Sequence, residues 1–168
     1  GTSGDGVDAS IIRTDGIKEY ESIKDKYFEY NSDLYNDIHN LKEKIQKLEH
    51  SEIFKKEISN LERKITIFHA KIIKELKVSD ETLLGFHGQT IYHNPKEKIS
   101  KQLGNGKLLN QLTNKNVIYD FRRNDIMNGG LAAYCFKCRQ KTHMKDLHLC
   151  GHAVPSHDSR WCWTTFEI

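Results

Sequence analysis

The fold class is decided by "KQLGNGKLLNQLTNKNVIYDF", residues 101–121. A polar, glycine-rich turn at 104–106 precedes a short helical pattern, and β-branched and aromatic residues follow in "NVIYDF". Upstream, "TLLGFHGQTIYHNP" at 82–95 begins with a short apolar run and continues as a β-prone segment that ends at Asn94-Pro95. Strand, helix and strand in this order predict an α/β unit in which "NVIYDF" is a buried strand.

Polar residues follow that last strand in "DFRRNDIMNGG", residues 120–130. Ligand sites in open α/β sheets lie at the carboxyl ends of the strands, so Asp120, Arg122 and Asp125 are candidate site residues. Two simpler interpretations stay open from the residues alone. Arg122 and Asp125 could form a salt bridge at a strand end, and a single histidine such as His87 is more often structural than catalytic.

A long helical pattern occupies residues 34–76. Its apolar side chains recur at steps of three and four, which places them on one face of a helix; they are Leu34, Ile38, Leu41, Ile45 and Leu48, then Phe54, Ile58, Leu61, Ile65, Phe68, Ile72 and Leu76. The phase slips near His50–Ser51, which predicts either two helices joined by a tight turn or one broken helix. Asn31 and Ser32 are suitable caps at the start. By itself, the segment is also typical of a coiled-coil hairpin.

The chain opens with "GTSGDGVD", residues 1–8, and continues in extended segments on either side of Asp15-Gly16. This pattern predicts two antiparallel strands. Glycine-rich turns with hydroxyl groups bind phosphate through backbone N–H groups. The carboxylate of Asp5 would repel phosphate, so we expect it to hold Mg²⁺, a water molecule or a sugar hydroxyl. The alternative is a flexible terminus without a ligand.

Charge and hydropathy restrict the classes of partner. The formal net charge of +3 over 168 residues is small, and lysines alternate with glutamates, which predicts a solvated helix face and no nucleic-acid partner. No apolar run approaches the roughly 20 residues that span a bilayer, so no membrane partner is expected. The length fits one ordinary domain, or one domain with a small appendage.

The segment after residue 130 differs in composition from the rest. All four cysteines, both tryptophans and four of the nine histidines lie there. Cys135, Cys138, His143 and Cys150 approach the spacing of a zinc knuckle, although the last interval is too long and no second Cys-x-x-Cys follows. The abrupt change is also what a frameshift or gene fusion leaves, and we favour that interpretation over a Zn²⁺ site. We therefore predict two parts, residues 1–130 and an unrelated tail, 131–168.

Three motifs, in this order, resemble the anhydro-N-acetylmuramic acid kinase family of bacteria: "GTSGDGVDA", "GFHGQTIYHNP" and "QLGNGKLLNQLTNKNVIYDFRRNDIMNGG". The resemblance covers about residues 1–130. It implies an actin-like, sugar-kinase-type (ribonuclease H-like) ATPase lobe, here with a helical hairpin at 32–77. It further implies a cytoplasmic enzyme of peptidoglycan recycling that uses ATP and Mg²⁺. Such an enzyme opens the 1,6-anhydro ring of anhydro-N-acetylmuramic acid with water while phosphorylating O6, giving N-acetylmuramate 6-phosphate.

The resemblance also implies roles for individual residues. The ATP-phosphate turn corresponds to Gly1, Thr2, Ser3, Gly4, Asp5, Gly6, Val7 and Asp8, with Asp5 organising Mg²⁺ or substrate hydroxyls. The amino-sugar site corresponds to His87, Gln89, Thr90, Asp120, Arg122 and Asp125. The forked donors of Arg122 suit a carboxylate such as the lactyl group.

The resemblance stops at Gly129–Gly130, where the family continues with Gly-Gln-Gly-Ala-Pro-Leu after the first glycine and this chain has "GLAAYCF". The family's Asn-Ile-Gly-Gly-Ile and Phe-Asp-Thr-Gly-Pro-Gly-Asn segments do not occur, and the second carries the aspartate expected to act as base. The strand before the opening turn is also missing by this comparison. We therefore expect a fragment with little or no kinase activity by itself. Two alternatives remain: a lobe that binds nucleotide or amino sugar without turnover, and an interaction protein whose hairpin dimerises and whose tail holds zinc.

Overall fold

The computed structural model describes residues 3–15, 19–45, 50–94, 97–127 and 162–167. This part of the chain contains both strands and helices, so the predicted α/β class is confirmed at that level. The strands are β1 (Gly6–Thr14), β2 (Tyr20–Glu29), β3 (Leu83–Phe86), β4 (Gln89–Asn94), β5 (Ile99–Leu103), β6 (Val117–Tyr119) and β7 (Cys162–Glu167). The helices are α1 (Ser32–Lys44), α2 (His50–Ile53), α3 (Lys55–Leu76), α4 (Gly106–Thr113) and α5 (Phe121–Met127).

The predicted antiparallel pair at the start of the chain is confirmed as β1 and β2, which pair from Gly6 opposite Glu29 to Thr14 opposite Tyr20. At the closed end, Oδ1 of Asp15 accepts a hydrogen bond from the Glu19 amide at 2.8 Å. An aspartate that bonds a nearby backbone amide in this way stabilises a turn. The pairing register shifts between Ile11 and Ile12, which marks a β-bulge.

The main sheet has five strands in the order β2-β1-β7-β3-β6. β7 is parallel to β1 and antiparallel to β3, and β3 is parallel to β6. β1 therefore runs opposite to β3 and β6. As a result, the beginning of β1 and the ends of β3 and β6 lie at the same edge of the sheet, where edge means the boundary formed by the ends of the strands. A separate two-stranded sheet is formed by β4 and β5.

The long helical segment is broken, as predicted, because α1 ends at Lys44 and α3 begins at Lys55. However, His50 and Ser51, where the break was expected, lie in the short helix α2. Asn31 caps α1, as predicted: its Oδ1 accepts from the amide of Leu34 at 3.0 Å. Two ion pairs join the helices, Lys64 with Asp37 at 2.6 Å and Lys44 with Glu57 at 2.8 Å. The later α1 residue pairs with the earlier α3 residue, so the two helices are antiparallel and form the expected hairpin.

The predicted apolar face of this hairpin is the core. Ile38 and Ile65 are fully buried, and Leu34, Leu41, Ile45, Ile58, Leu61, Ile72 and Leu76 are also buried, while Phe54 and Phe68 pack partly buried against them. Helix α3 covers the main sheet, because Ile72 and Ile73 line a cavity of about 30 Å³ together with Val7 of β1 and Leu84 of β3. That volume suffices to hold water.

Two expectations about the strands need correction. Val117–Tyr119 is a strand, but it is not buried: Ile118 and Tyr119 are 46% and 42% exposed, because β6 is the last strand of the sheet. Phe121 also begins a helix and does not extend the strand. In addition, β5 was not expected, since "ISKQL" has too few β-branched residues to predict a strand. The glycine-rich turn at 104–106 and the helix after it are confirmed.

Within the part of the chain that the structure describes, no helix combines the length and the apolar character needed to cross a bilayer.

Candidate functional site

Two of the predicted sugar-binding residues are in direct contact. Nε of Arg122 donates a hydrogen bond to Nε2 of His87 at 2.9 Å. The topology explains the contact: His87 directly follows β3 and Arg122 lies just beyond β6, and these strands are parallel neighbours. Their carboxyl ends therefore meet at one edge of the sheet. This is the position at which open α/β sheets place ligand sites.

The pair has defined protonation states. Burial, and then the positive charge of Arg122, lower the pKa of His87 to about 3, so that its imidazole is neutral near pH 7. Since Nε2 accepts from Arg122, the ring proton resides on Nδ1, which lies 3.2 Å from the carbonyl oxygen of Gly88. Burial lowers the pKa of Arg122 to about 10, and the guanidinium remains charged near pH 7. A neutral histidine thus orients a buried cation.

Asp120 supports Arg122 through the backbone. Its φ of +65° lies in the left-handed region, which aspartate tolerates better than most residues. This conformation turns the chain from β6 directly into α5, where Arg122 is only 2% exposed. The carboxylate of Asp120 forms an ion pair with Arg123. Asp125 lies in α5, and its side chain is outside the described residues.

Gln89 and Thr90 begin β4 immediately beyond His87, and both are buried, at 0% and 4% exposure. Nε2 of Gln89 donates to the carbonyl oxygen of Thr90 at 3.2 Å. Gly88 has a φ of +71°, and a Cβ at this position would collide with the carbonyl oxygen of Leu103. Glycine is therefore required between the histidine and Gln89 by backbone packing, whatever the motif binds.

The opening turn, Ser3–Gly6, is held by its own side chains and by its neighbours. The hydroxyl of Ser3 donates to Oδ1 of Asp5 at 2.5 Å. Partial burial disfavours the ionised carboxyl of Asp5, but this hydrogen bond and those from backbone amides outweigh it, and the pKa of Asp5 is lowered. Nζ of Lys42, on α1, donates to the carbonyl oxygen of Ser3 at 3.0 Å. Gly4 has a φ of +83°, which glycine alone adopts without strain.

Of the remaining residues predicted for the turn, Val7 and Asp8 are described by the structure and the first two are not. Gly1 and Thr2 are outside the described residues. Val7 is 1% exposed and belongs to the core, so only its backbone is available to a ligand at the turn. Asp8 lies opposite Tyr27 in the β1–β2 pairing, and its charge is among those that raise the pKa of Tyr27, after burial and the charges of Asp5 and Glu29.

The sheet topology brings the turn and the Arg122–His87 pair to a common edge. The turn precedes β1, while His87 and Arg122 follow β3 and β6, and β1 runs opposite to the other two strands. The three predicted clusters thus share one edge of the sheet, although they are far apart in sequence.

The residues suit a metal only in a limited way. Among the described ranges there is no group of three or more His, Cys, Asp or Glu side chains that could hold an ion. Mg²⁺ in phosphate sites is usually bound by one or two carboxylates together with phosphate oxygens and water, so the exposed carboxylate of Asp5 is compatible with Mg²⁺ carried by a nucleotide. Cys135, Cys138, His143 and Cys150 lie outside the described residues.

Several residues near these clusters were not predicted. Lys42 contacts the turn, although it looks like an ordinary surface lysine; its spacing of four from the buried Ile38 is the signal that places it beside the core. Burial and then the charge of Arg122 lower the pKa of His93, at the end of β4. Burial lowers the pKa of His69, on α3, to about 4, and its Nδ1 lies 2.7 Å from the carbonyl oxygen of Ile65.

Comparison with known proteins agrees with the motifs. The chain is 56% identical over 136 residues to an anhydro-N-acetylmuramic acid kinase of Pelagibacter ubique (strain HTCC1062). This match covers 79% of the present chain and 36% of that relative. It is 34% identical over 139 residues to the enzyme of that name from Agrobacterium fabrum, and 33% identical over 137 residues to that from Gluconobacter oxydans; each match covers 79% of this chain and 37% of the relative.

The chain thus spans less than two fifths of the length of these relatives. A sequence model described as anhydro-N-acetylmuramic acid kinase matches residues 1–150, which extends beyond the predicted boundary at Gly130. Since that match covers most of the chain, this protein belongs to the anhydro-N-acetylmuramic acid kinase family.

Proposed function

We propose that the chain contributes the ATP-phosphate turn and part of the sugar site of an ATP-dependent kinase that acts on anhydro-N-acetylmuramic acid. In this proposal, residues 1–130 form one lobe of an actin-like, ribonuclease H-like fold. The observation that carries the proposal is the shared sheet edge, where the contact between Arg122 and His87 lies at the same edge as the Ser3–Gly6 turn.

The proposed reaction transfers the γ-phosphoryl group of ATP to O6 of the sugar. Water adds to C1 while the bond between C1 and O6 breaks, and a base removes a proton from the water. By family resemblance that base is not among the residues of this chain. Magnesium bound with ATP would supply positive charge to the phosphates during transfer. The product would be N-acetylmuramate 6-phosphate, formed in the cytoplasm during peptidoglycan recycling.

The residues of the chain have separate tasks in this proposal. Backbone amides of the Ser3–Gly6 turn bind phosphate oxygens. Arg122 binds the lactyl carboxylate through its terminal nitrogens, because its Nε is already bonded to His87. His87 fixes the plane of the guanidinium and, since it is neutral, adds no competing charge.

Sugar binding by Arg122 is tested with two ligands that differ in one group. Anhydro-N-acetylmuramic acid has a lactyl carboxylate, and anhydro-N-acetylglucosamine does not. We expect Arg122→Lys to weaken binding of the first about tenfold, because a forked donor pair is lost, and to change binding of the second little. Arg123→Lys, at the exposed neighbour, is the matched control. Equal affinity of wild type and Arg122→Lys for the first sugar would contradict the assignment.

Catalysis is tested separately. Purified chain is incubated with ATP, Mg²⁺ and anhydro-N-acetylmuramic acid, and the phosphorylated sugar is measured by mass spectrometry. We expect little or no product, because phosphoryl transfer needs groups on both sides of the nucleotide. Sugar and ATP binding without product would support a binding role for the chain by itself, whereas efficient turnover would show that the 168 residues suffice.

A further inference from the structure

Lys42 lies against the Ser3–Gly6 turn from the side of helix α1. Its Nζ donates to the carbonyl oxygen of Ser3 at 3.0 Å. A Cβ built on Gly4 would lie 3.0 Å from the same nitrogen and 3.0 Å from Cγ2 of Ile38. The ammonium group is therefore packed on the backbone of the turn. Lys44, two positions further on, is different: it pairs with Glu57 of α3, and its side chain is 45% exposed.

The charges at the turn oppose each other. Lys42 is partly buried, which lowers its pKa, while the negative charge of Asp5 opposes this lowering. His39 of α1, Tyr27 of β2 and Tyr30, which follows β2, also lie beside the turn. Burial raises the pKa of both tyrosines, and the charge of Asp5 adds to this effect. Among the described residues, Lys42 is a lysine whose ammonium group donates directly to the turn.

A carboxylate within a phosphate-binding turn weakens the binding of the anionic phosphate. Backbone amides attract a phosphate, whereas the ionised carboxyl of Asp5, within the turn, repels it. A cation fixed on the same turn reduces that repulsion and need not touch the phosphate. The hydrogen bond to Ser3 also restricts the backbone conformation from which the amides point.

We propose that Lys42 is a positioning residue of the turn, which holds the Ser3 carbonyl and offsets the charge of Asp5 so that the turn accepts an anionic phosphate. This inference rests on the phosphate-binding role proposed above. It adds a residue of helix α1 to a site that the sequence motifs confine to the first eight residues.

The first test uses inorganic pyrophosphate without divalent metal, followed through the amide NMR signals of Gly4 and Gly6. We expect Lys42→Met to raise the Kd about fivefold, and Lys44→Met, the matched control, to change it less than about twofold. Because Lys42 acts through Asp5, the double variant Lys42→Met/Asp5→Asn should return to within about twofold of wild type. Wild-type affinity in Lys42→Met, or a double variant as weak as the single one, would overturn the proposal.

A second measurement separates this inference from the phosphate-binding role itself. The pKa of Lys42 is read from its side-chain ¹³Cε signal in wild type, in Asp5→Asn and in Asp33→Asn, which removes an exposed carboxyl from the first turn of the same helix. We expect only Asp5→Asn to lower it. An unchanged Lys42 pKa in Asp5→Asn overturns the role of Lys42, whereas amides of Gly4 and Gly6 that do not respond to pyrophosphate in the wild type overturn phosphate binding by the turn.

Discussion

Nε of Arg122 lies 2.9 Å from Nε2 of His87, although the two residues are 35 positions apart in the sequence. Each follows a different strand of a parallel pair, and the contact joins the ends of those strands. The imidazole accepts and the guanidinium donates, so each side chain determines the protonation or the orientation of the other.

Removal of the imidazole should destabilise the protein. His87→Ala leaves the Nε–H of a nearly buried guanidinium without this acceptor, and such a loss costs about 1–3 kcal/mol. His87→Gln keeps an acceptor and should recover part of the loss. Urea denaturation at pH 7 measures both variants. A free energy of unfolding for His87→Ala equal to that of wild type would show that the hydrogen bond contributes nothing to stability.

Stability should fall as the solution is acidified below about pH 6.5. Burial lowers the pKa of His87 to about 3 and that of His69 to about 4, while both residues titrate near 6.5 in the unfolded chain. Between these values the unfolded chain binds protons that the folded chain excludes. The stabilising contribution of the two neutral histidines is therefore complete above pH 6.5 and declines toward pH 4.

Each of the two histidines adds up to about 1.4 kcal/mol per pH unit to this slope. Urea midpoints measured from pH 7.5 to 4.5 give the slope, and His87→Gln should reduce it. If wild type and His87→Gln have parallel pH profiles, His87 does not titrate with the lowered pKa described here.

The backbone at Asp120 should tolerate asparagine but not valine. Both aspartate and asparagine adopt a φ near +65°, whereas a β-branched residue is strained there, at a cost of about 1–3 kcal/mol. Asp120→Asn loses only the ion pair to the exposed Arg123, which we expect to contribute less than about 1 kcal/mol. Thermal unfolding of the two variants measures the difference. Equal melting temperatures would argue against a left-handed conformation at this residue.

Strand β7 should be needed for the main sheet. Thr165 lies opposite both Ile11 of β1 and Leu84 of β3. Proline cannot donate a hydrogen bond in a sheet, and Thr165→Pro should cost about 1–3 kcal/mol. Ile168→Pro, just beyond the strand, is the control. If the two variants are equally stable, β7 does not pair with these strands in solution.

The tail should contain no bound zinc. Its cysteine and histidine spacing departs from a zinc knuckle, and no second Cys-x-x-Cys is present. Metal analysis of protein purified without chelators should give far less than one zinc per chain. About one zinc per chain, lost in Cys135→Ser, would contradict this prediction and support a metal site.

The features that were predicted from sequence depend on local patterns. Ile38 and Ile65 are buried because apolar residues recur at helical spacing, and Asn31 caps α1 because its side chain bonds the amide of Leu34. The position at the carboxyl end of a strand made Arg122 a candidate site residue, and the family resemblance grouped His87 with it. The resemblance to a known family gave the order of the motifs but not this contact.

The features that were not predicted depend on contacts distant in sequence. The exposure of Ile118 follows from the position of β6 in the sheet, which its apolar sequence does not encode. Likewise, Lys42 is close to Ser3 only because α1 crosses the turn. The insertion of β7 between β1 and β3 joins residues that are far apart in the sequence, and no local pattern indicates this pairing.

Strand β6 also affects how the protein should be handled. It is the last strand of the described sheet, and Ile118 and Tyr119 are exposed on it. The outer backbone groups of such a strand can pair with an extended segment of another molecule. This encounter requires two molecules, so its frequency rises with protein concentration. Dilute storage therefore limits pairing between molecules along the outer side of β6.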